Sequence, residues 1–284
     1  MSAVLEGRTA VVTGGAGNGA GLGRGLVRRL AAAGMKVAIL DVDQEAAAVL
    51  ALELRDQGRE ALALGVDVTS PRSLQDAADE VTRVFGSCNI LCCHVGGGGQ
   101  GRFVDLPLEA WGEALALMVT GTVATIQTFL PLMQRADGLR RIVLTASVAA
   151  LTPGRFQGPY RAAKAAVVSI GETLDLELGP EGIGTTVVFP GGMLPPSLLE
   201  LARGLGELPP DSENIEMAIA AEMVRDPTDV DDGEAAAIPV LEAILASRRY
   251  VVTHGKTAEA NYNDRHALLE AAFAELAGRQ YRPA

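Results

Sequence analysis

The chain has 284 residues, 48% of them hydrophobic and 4% aromatic, and a formal charge of −11. That much aliphatic content excludes a disordered or fibrous chain, and the acidic balance repels phosphate backbones and anionic surfaces, which excludes nucleic acid and membrane as expected partners. Three clustered cysteines, Cys88, Cys92 and Cys93, make no disulfide framework and suit a reducing cytoplasm.

The expected elements alternate between strands and helices. An apolar strand over 9–13 runs into Thr13-Gly-Gly-Ala-Gly-Asn-Gly-Ala-Gly-Leu-Gly-Arg-Gly25 and then a helix over 24–33. Strand 36–40 ends at Asp41, and an amphipathic helix covers 44–57. Strand 60–66 leads into Asp67-Val68, and the next helix, 70–85, opens with Ser-Pro, a helix-start signal. Strand 90–94 precedes a long helical pattern over 106–134. Strand 141–146 stops before Ser147, and a helix over 157–178 carries Tyr160-Arg-Ala-Ala-Lys164. Strand 184–189 ends at Pro190-Gly191, and a last strand covers 250–253. Such alternation predicts an α/β, doubly wound parallel sheet with helices on both faces. No uninterrupted apolar run reaches about 18 residues, so no membrane span is expected. Residues 1–8 lack a signal-peptide pattern.

Residues 191–232 change character, with Pro195-Pro196, Pro209-Pro210 and Pro227 and no strand pattern. They are expected to form a helical substrate flap over the carboxyl edge of the sheet. Residues 255–284 are expected as a C-terminal helical tail of the same single domain.

Two groups of residues carry chemistry. Glycines between the first strand and the first helix let a backbone turn sharply and approach a pyrophosphate, which the helix N-terminus then attracts. A carboxylate at Asp41 can accept both hydrogen bonds of an adenosine ribose diol and repels a 2′-phosphate, which favours NAD over NADP; capping of the next helix is the alternative use. Asp67 can accept from an adenine amino group or cap the helix at Ser70. At the other end, Tyr160 and Lys164 share a helix face. A lysine ammonium favours a phenolate and so lowers its pKa, which makes Tyr160 an acid/base. Ser147 ends a neighbouring strand on the same side of the sheet. Cys92 and Cys93 point to opposite faces of a strand and cannot share one ion, so no metal is expected. His94 either touches the cofactor or is an ordinary polar strand end.

These motifs, in this order, resemble the short-chain dehydrogenase/reductase family over residues 4–192. The resemblance implies a seven-stranded Rossmann sheet, a nicotinamide cofactor and redox chemistry between alcohols and carbonyls. It implies Ser147, Tyr160 and Lys164 as catalytic residues. It implies Gly14, Gly21, Leu22, Gly23, Asp41, Asp67, Val68 and Gly96 as cofactor-binding residues, with Tyr160 and Lys164 also reaching the cofactor and Pro190-Gly191 beside the nicotinamide. It further implies a homodimer or homotetramer, paired through helices 106–134 and 157–178. The segment Tyr250-Val-Val-Thr-His254 is loosely similar to a branch that oxidises bulky or aryl-substituted secondary alcohols. The chain departs from the family pattern in four places. Six residues, 15–20, stand where the first glycine motif has three. Cys93-His94-Val95-Gly96 replaces Asn-Asn-Ala-Gly. Met118 replaces an asparagine and Pro195 a threonine. The expected function is NAD-dependent interconversion of a secondary alcohol and a ketone on a small-molecule substrate. The alternatives are non-redox chemistry at the same site (dehydration, isomerisation or cyclisation) and a non-catalytic NAD-binding scaffold.

Overall fold

Strands buried on both faces read as continuous apolar runs, and the apolar runs described above form one seven-stranded parallel sheet. The computed structural model describes residues 4–17, 21–193 and 230–278. The first half of the chain runs β1 (Thr9–Thr13), α1 (Leu22–Ala32), β2 (Lys36–Asp41), α2 (Gln44–Asp56), β3 (Ala61–Gly65), α3 (Pro71–Phe85) and β4 (Ile90–Cys93). The second half runs α4 (Leu108–Leu115), α5 (Gly121–Gln134), β5 (Arg140–Thr145), α6 (Gly158–Leu178), β6 (Ile183–Phe189), β7 (Gly192–Met193), β8 (Val230–Asp231), α7 (Gly233–Leu245), β9 (Tyr250–Val252) and α8 (Lys256–Gly278). The sheet order is β3-β2-β1-β4-β5-β6-β9, so the winding direction reverses between β1 and β4. A crevice at the carboxyl ends of the strands opens at such a reversal.

The period-two alternation of strand side chains divides the core into two layers. Ala10, Val12, Val37, Ile39, Cys92, Val143 and Val188 pack with Leu26, Leu30, Leu50 and Val240 from α1, α2 and α7. Val11, Ala38, Leu40, Leu91, Cys93, Ile142 and Leu144 pack with Leu74, Val81, Phe129 and Val167 from α3, α5 and α6. Cys92 and Cys93 thus lie in opposite layers, as their succession along a strand requires. Local signals place the helix ends. Ser70 accepts from the Ser73 amide at the start of α3, Pro71 takes the first helical position, and Gly86 closes the helix with φ +80°.

Two expectations are corrected. The helical pattern over 106–134 forms one run, Leu108–Gln134, in which a π-helical turn, Ala116–Thr120, joins α4 to α5 and contains the buried Met118. Against the expectation of no membrane span, an 18-residue stretch within Leu108–Gln134 is long and apolar enough to cross a membrane, with a mean hydropathy of 1.6. Counting uninterrupted apolar runs hid this, because threonine and glutamine break the run. Its apolar side is used within the fold, where Ile126, Phe129 and Met133 pack on Leu91 and Leu144 of the sheet. The second correction concerns 191–232, where no strand was expected: β7 and β8 pair in parallel, Gly192 with Val230 and Met193 with Asp231. A two-residue main-chain ladder needs no side-chain pattern, so it leaves none in the sequence. The rest of the expected flap, including Pro195, lies outside the described residues.

Candidate active site

The carboxyl ends of β1, β2, β4, β5 and β6 bring most of the expected residues to one edge of the sheet. At the end of β1 the chain turns at Gly14, φ +64°. A Cβ on Gly14 would lie 1.9 Å from the His94 carbonyl oxygen, and a Cβ on Gly23 would lie 2.1 Å from the Gly14 carbonyl oxygen. The first turn of α1 therefore presses backbone to backbone against the β1 turn. Gly21 differs: it is the N-cap of α1, extended at φ −79° and ψ 163°, and a Cβ there would meet nothing within 4 Å among the described residues. The free amides of that helix end thus face open space bordered by glycine, which suits a pyrophosphate. Leu22 points the other way and is fully buried.

Asp41, at the end of β2, has a use that sequence reasoning missed. Its Oδ2 accepts from the amides of Ala16 (2.9 Å) and Gly17 (3.3 Å), and its Oδ1 accepts from the Asp43 amide. The carboxylate holds the glycine turn in place, and Oδ1 keeps a further lone pair for a ligand. Helix α2 is capped by Asp43, which accepts from the Ala46 amide, and not by Asp41. Asp67 does not cap α3 either. It is exposed and accepts from both the amide and the hydroxyl of Thr69, which hold its carboxyl below the usual range. Val68 beside it is buried against Gly121, where a Cβ would come within 2.9 Å of its Cγ2.

Around Lys164 the chain builds a polar cluster inside the sheet edge. Lys164 is 4% exposed. Among the described residues its ammonium donates to the carbonyls of Thr145 (2.7 Å) and Val95 (3.3 Å), which leaves a third N–H for a ligand. Burial pushes its pKa down to about 8. Gly96 lets the chain pass: a Cβ there would stand 3.0 Å from Nζ and 3.6 Å from the Met118 sulfur. Met118, fully buried, therefore offers a thioether where a polar side chain would reach the lysine. His94 lies on the other side of Thr145. Its Nδ1 meets the Thr145 hydroxyl at 3.0 Å and its amide donates to the Thr13 hydroxyl. Neither threonine was singled out from the sequence, because each looks like an ordinary strand residue.

Burial first, and the Lys164 charge second, push the His94 imidazole down to about 3. A folded pKa below the unfolded value disfavours protonation in the fold. The resulting stability is whole above about pH 6.5 and is lost as pH falls toward 3, by about 1.4 kcal/mol per unit. Urea denaturation at pH 7.5 and 4.5 should show the wild type losing about 3 kcal/mol more than His94→Asn. Equal losses would mean that His94 is not held neutral.

Tyr160 sits one turn before Lys164 on α6, with the lysine nitrogen 5.8 Å from its ring centroid. Ser147 follows β5. It accepts from the Ala149 amide at 3.1 Å, and its hydroxyl faces the Tyr160 phenol. The expected lowering of the phenol pKa by Lys164 is not what the structure shows. Burial raises the phenol above its usual value, and the Ser147 hydrogen bond and the Arg161 charge offset it in part. The physical reason is that the phenol gives up water while the lysine is committed to two carbonyls. Arg161 also ties α6 to the turn after Ser147, by donating to the Thr152 carbonyl at 2.8 Å. Pro190 and Gly191 follow β6, and the Val148 amide donates to the Pro190 carbonyl at 3.0 Å. The glycine cradle, the open Gly21 and the Asp41 carboxylate fit a dinucleotide, and the Ser147, Tyr160 and Lys164 set can exchange a proton with an oxygen bound beside it.

Comparison with known proteins agrees with this geometry. A family model described as short chain dehydrogenase matches residues 8–203. A 2,5-dichloro-2,5-cyclohexadiene-1,4-diol dehydrogenase of Sphingobium indicum is 29% identical over 243 residues, 81% of this chain and 96% of that one. A 3-alpha-(or 20-beta)-hydroxysteroid dehydrogenase of Mycobacterium bovis is 30% identical over 229 residues, 78% of this chain and 85% of that one. The crystal structure of a short chain dehydrogenase/reductase from Burkholderia phymatum in complex with NAD superimposes with a TM-score of 0.80 at 28% identity, covering 99% of each chain.

Proposed function

The chain belongs to the short-chain dehydrogenase/reductase family and is an oxidoreductase, and on that premise we propose that it interconverts a secondary alcohol and a ketone with NAD. The observation that carries this reading is the buried Lys164, one turn after Tyr160 and with a third N–H to spare, at the same sheet edge as Ser147 and the glycine cradle. Gly14, Gly21, Gly23 and Asp41 would hold the adenosine and pyrophosphate. Asp67 and Val68 would flank the adenine, and Gly96, Pro190 and Gly191 would border the nicotinamide. The nicotinamide ring, when bound, supplies the hydride acceptor or donor. In the oxidation direction Tyr160, as phenolate, takes the hydroxyl proton of the alcohol while the carbon that bears the hydroxyl gives up a hydride. Ser147 donates to that alcohol oxygen and steadies its charge. Lys164 keeps a third N–H that would reach the nicotinamide ribose. Reduction reverses each step. The ring-bearing alcohols in the names of two relatives support a bulky cyclic substrate. Exposed Leu115 and Leu176 support pairing of the α4–α6 face in a homodimer or homotetramer.

Asp41 provides the test of cofactor choice. Its charge repels a 2′-phosphate, so calorimetric titration should find NADH bound much more tightly than NADPH. Asp41→Asn keeps an acceptor for the Ala16 and Gly17 amides but removes the charge, and should shift the NADPH-to-NADH affinity ratio upward by roughly tenfold. A wild type that binds the two alike would overturn the NAD assignment.

A further inference from the structure

We propose that His254 is a positioning residue for the nicotinamide end of the cofactor, clamping the turn at residues 190–192; the inference rests on the cofactor reading above. Strands β6 and β9 are parallel neighbours, and Phe189 pairs with Val252 at their carboxyl ends. The two chains therefore leave the sheet side by side. The Thr253 amide still donates to the Phe189 carbonyl at 3.3 Å. One residue later His254 reaches across to the β6 exit. Its Nε2 lies 2.8 Å from the Gly192 carbonyl oxygen, and its Nδ1 lies 2.8 Å from the Thr253 hydroxyl. A carbonyl oxygen only accepts, so Nε2 carries the proton and Nδ1 accepts from the threonine. Both ring nitrogens thus have a partner.

The turn it holds is packed to contact. A Cβ on Gly191 would come within 2.6 Å of His254 Cδ2 and 2.8 Å of the His254 carbonyl oxygen. On the far side the Pro190 carbonyl is held by the amide of Val148, the residue after Ser147. Gly255, at φ +136°, closes the same contact: a Cβ there would lie 3.2 Å from Val148 Cγ1. The turn is thus tied at Pro190 to the Ser147 loop and at Gly192 to His254. In the proposed reading the nicotinamide lies against this turn, so removing one tie costs affinity at that end of the cofactor alone.

Calorimetric titration of wild type, His254→Ala and His254→Gln with NADH and with ADP-ribose tests this. Loss of one hydrogen bond that orders the turn should weaken NADH by roughly tenfold in His254→Ala. ADP-ribose, which lacks the nicotinamide, should bind unchanged. A glutamine carboxamide donates from about the position of Nε2, so His254→Gln should recover most of the affinity. Amide exchange across 190–193 without ligand should be faster in His254→Ala and near wild type in His254→Gln. Unchanged NADH affinity in His254→Ala, or equal losses for NADH and ADP-ribose, would overturn the proposal. A wild type that binds neither ligand would overturn the cofactor reading and this inference with it.

Discussion

Tyr160→Phe should lose about 10²–10⁴ in turnover, the usual worth of a positioned acid/base, which is roughly 3–5 kcal/mol of transition-state stabilisation. The substitution removes one oxygen and little else. The ring packs in a small apolar cluster with Ala114, Met118 and Ala163, and phenylalanine fills the same space. NADH affinity should therefore stay near wild type, and so should the melting temperature. The test pairs NADH titration with initial rates on ring-bearing secondary alcohols, read from the nicotinamide absorbance. Loss of rate with retained binding assigns the phenol to the chemical step. A variant that turned over as fast as the wild type would remove Tyr160 from the reaction.

The second expected result separates two glycines that stand two positions apart, Gly21 and Gly23. Gly23→Ala should cost about 3 kcal/mol or more, the upper part of the range for overpacking a filled site, and should abolish NADH binding. Its new methyl would sit 2.1 Å from the Gly14 carbonyl oxygen and 2.8 Å from the His94 ring, and the backbone oxygen cannot step aside without unmaking the β1 turn. Gly21→Ala should change stability by less than about 1 kcal/mol, the scale of an N-cap exchange. Its backbone is extended and its Cβ would meet nothing among the described residues. That methyl nevertheless occupies the space where the pyrophosphate would lie, so NADH affinity should fall while urea denaturation stays near wild type. A Gly21→Ala protein that binds NADH normally would move the phosphate path elsewhere.

The site was legible in the sequence wherever a local pattern and the topology together demanded it. A strand, a glycine turn and a helix in succession place Gly14, Gly21 and Gly23 at one end of β1. Tyr160 and Lys164, four apart on a helix, share a face. Ser147 ends a strand that parallel pairing aligns with β1 and β4. Asp41 was found at its strand end, but its hold on the Ala16 and Gly17 amides was not, because two backbone amides leave no sequence signal. Thr145 and Val95 were missed for a related reason: Lys164 uses their carbonyls, which every residue has.

The sequence alone determined the alternation of elements, the two buried faces of the sheet and the order of the chemical residues, because hydrophobic period, capping and turn chemistry are local. Only the tertiary structure decided the electrostatics and the clamps. Burial depends on which elements pack over a group, so the raised Tyr160 phenol and the His94 imidazole held near 3 follow from enclosure and not from neighbours in the chain. The pairing of His254 with Gly192 spans 62 residues and exists because β6 and β9 lie side by side.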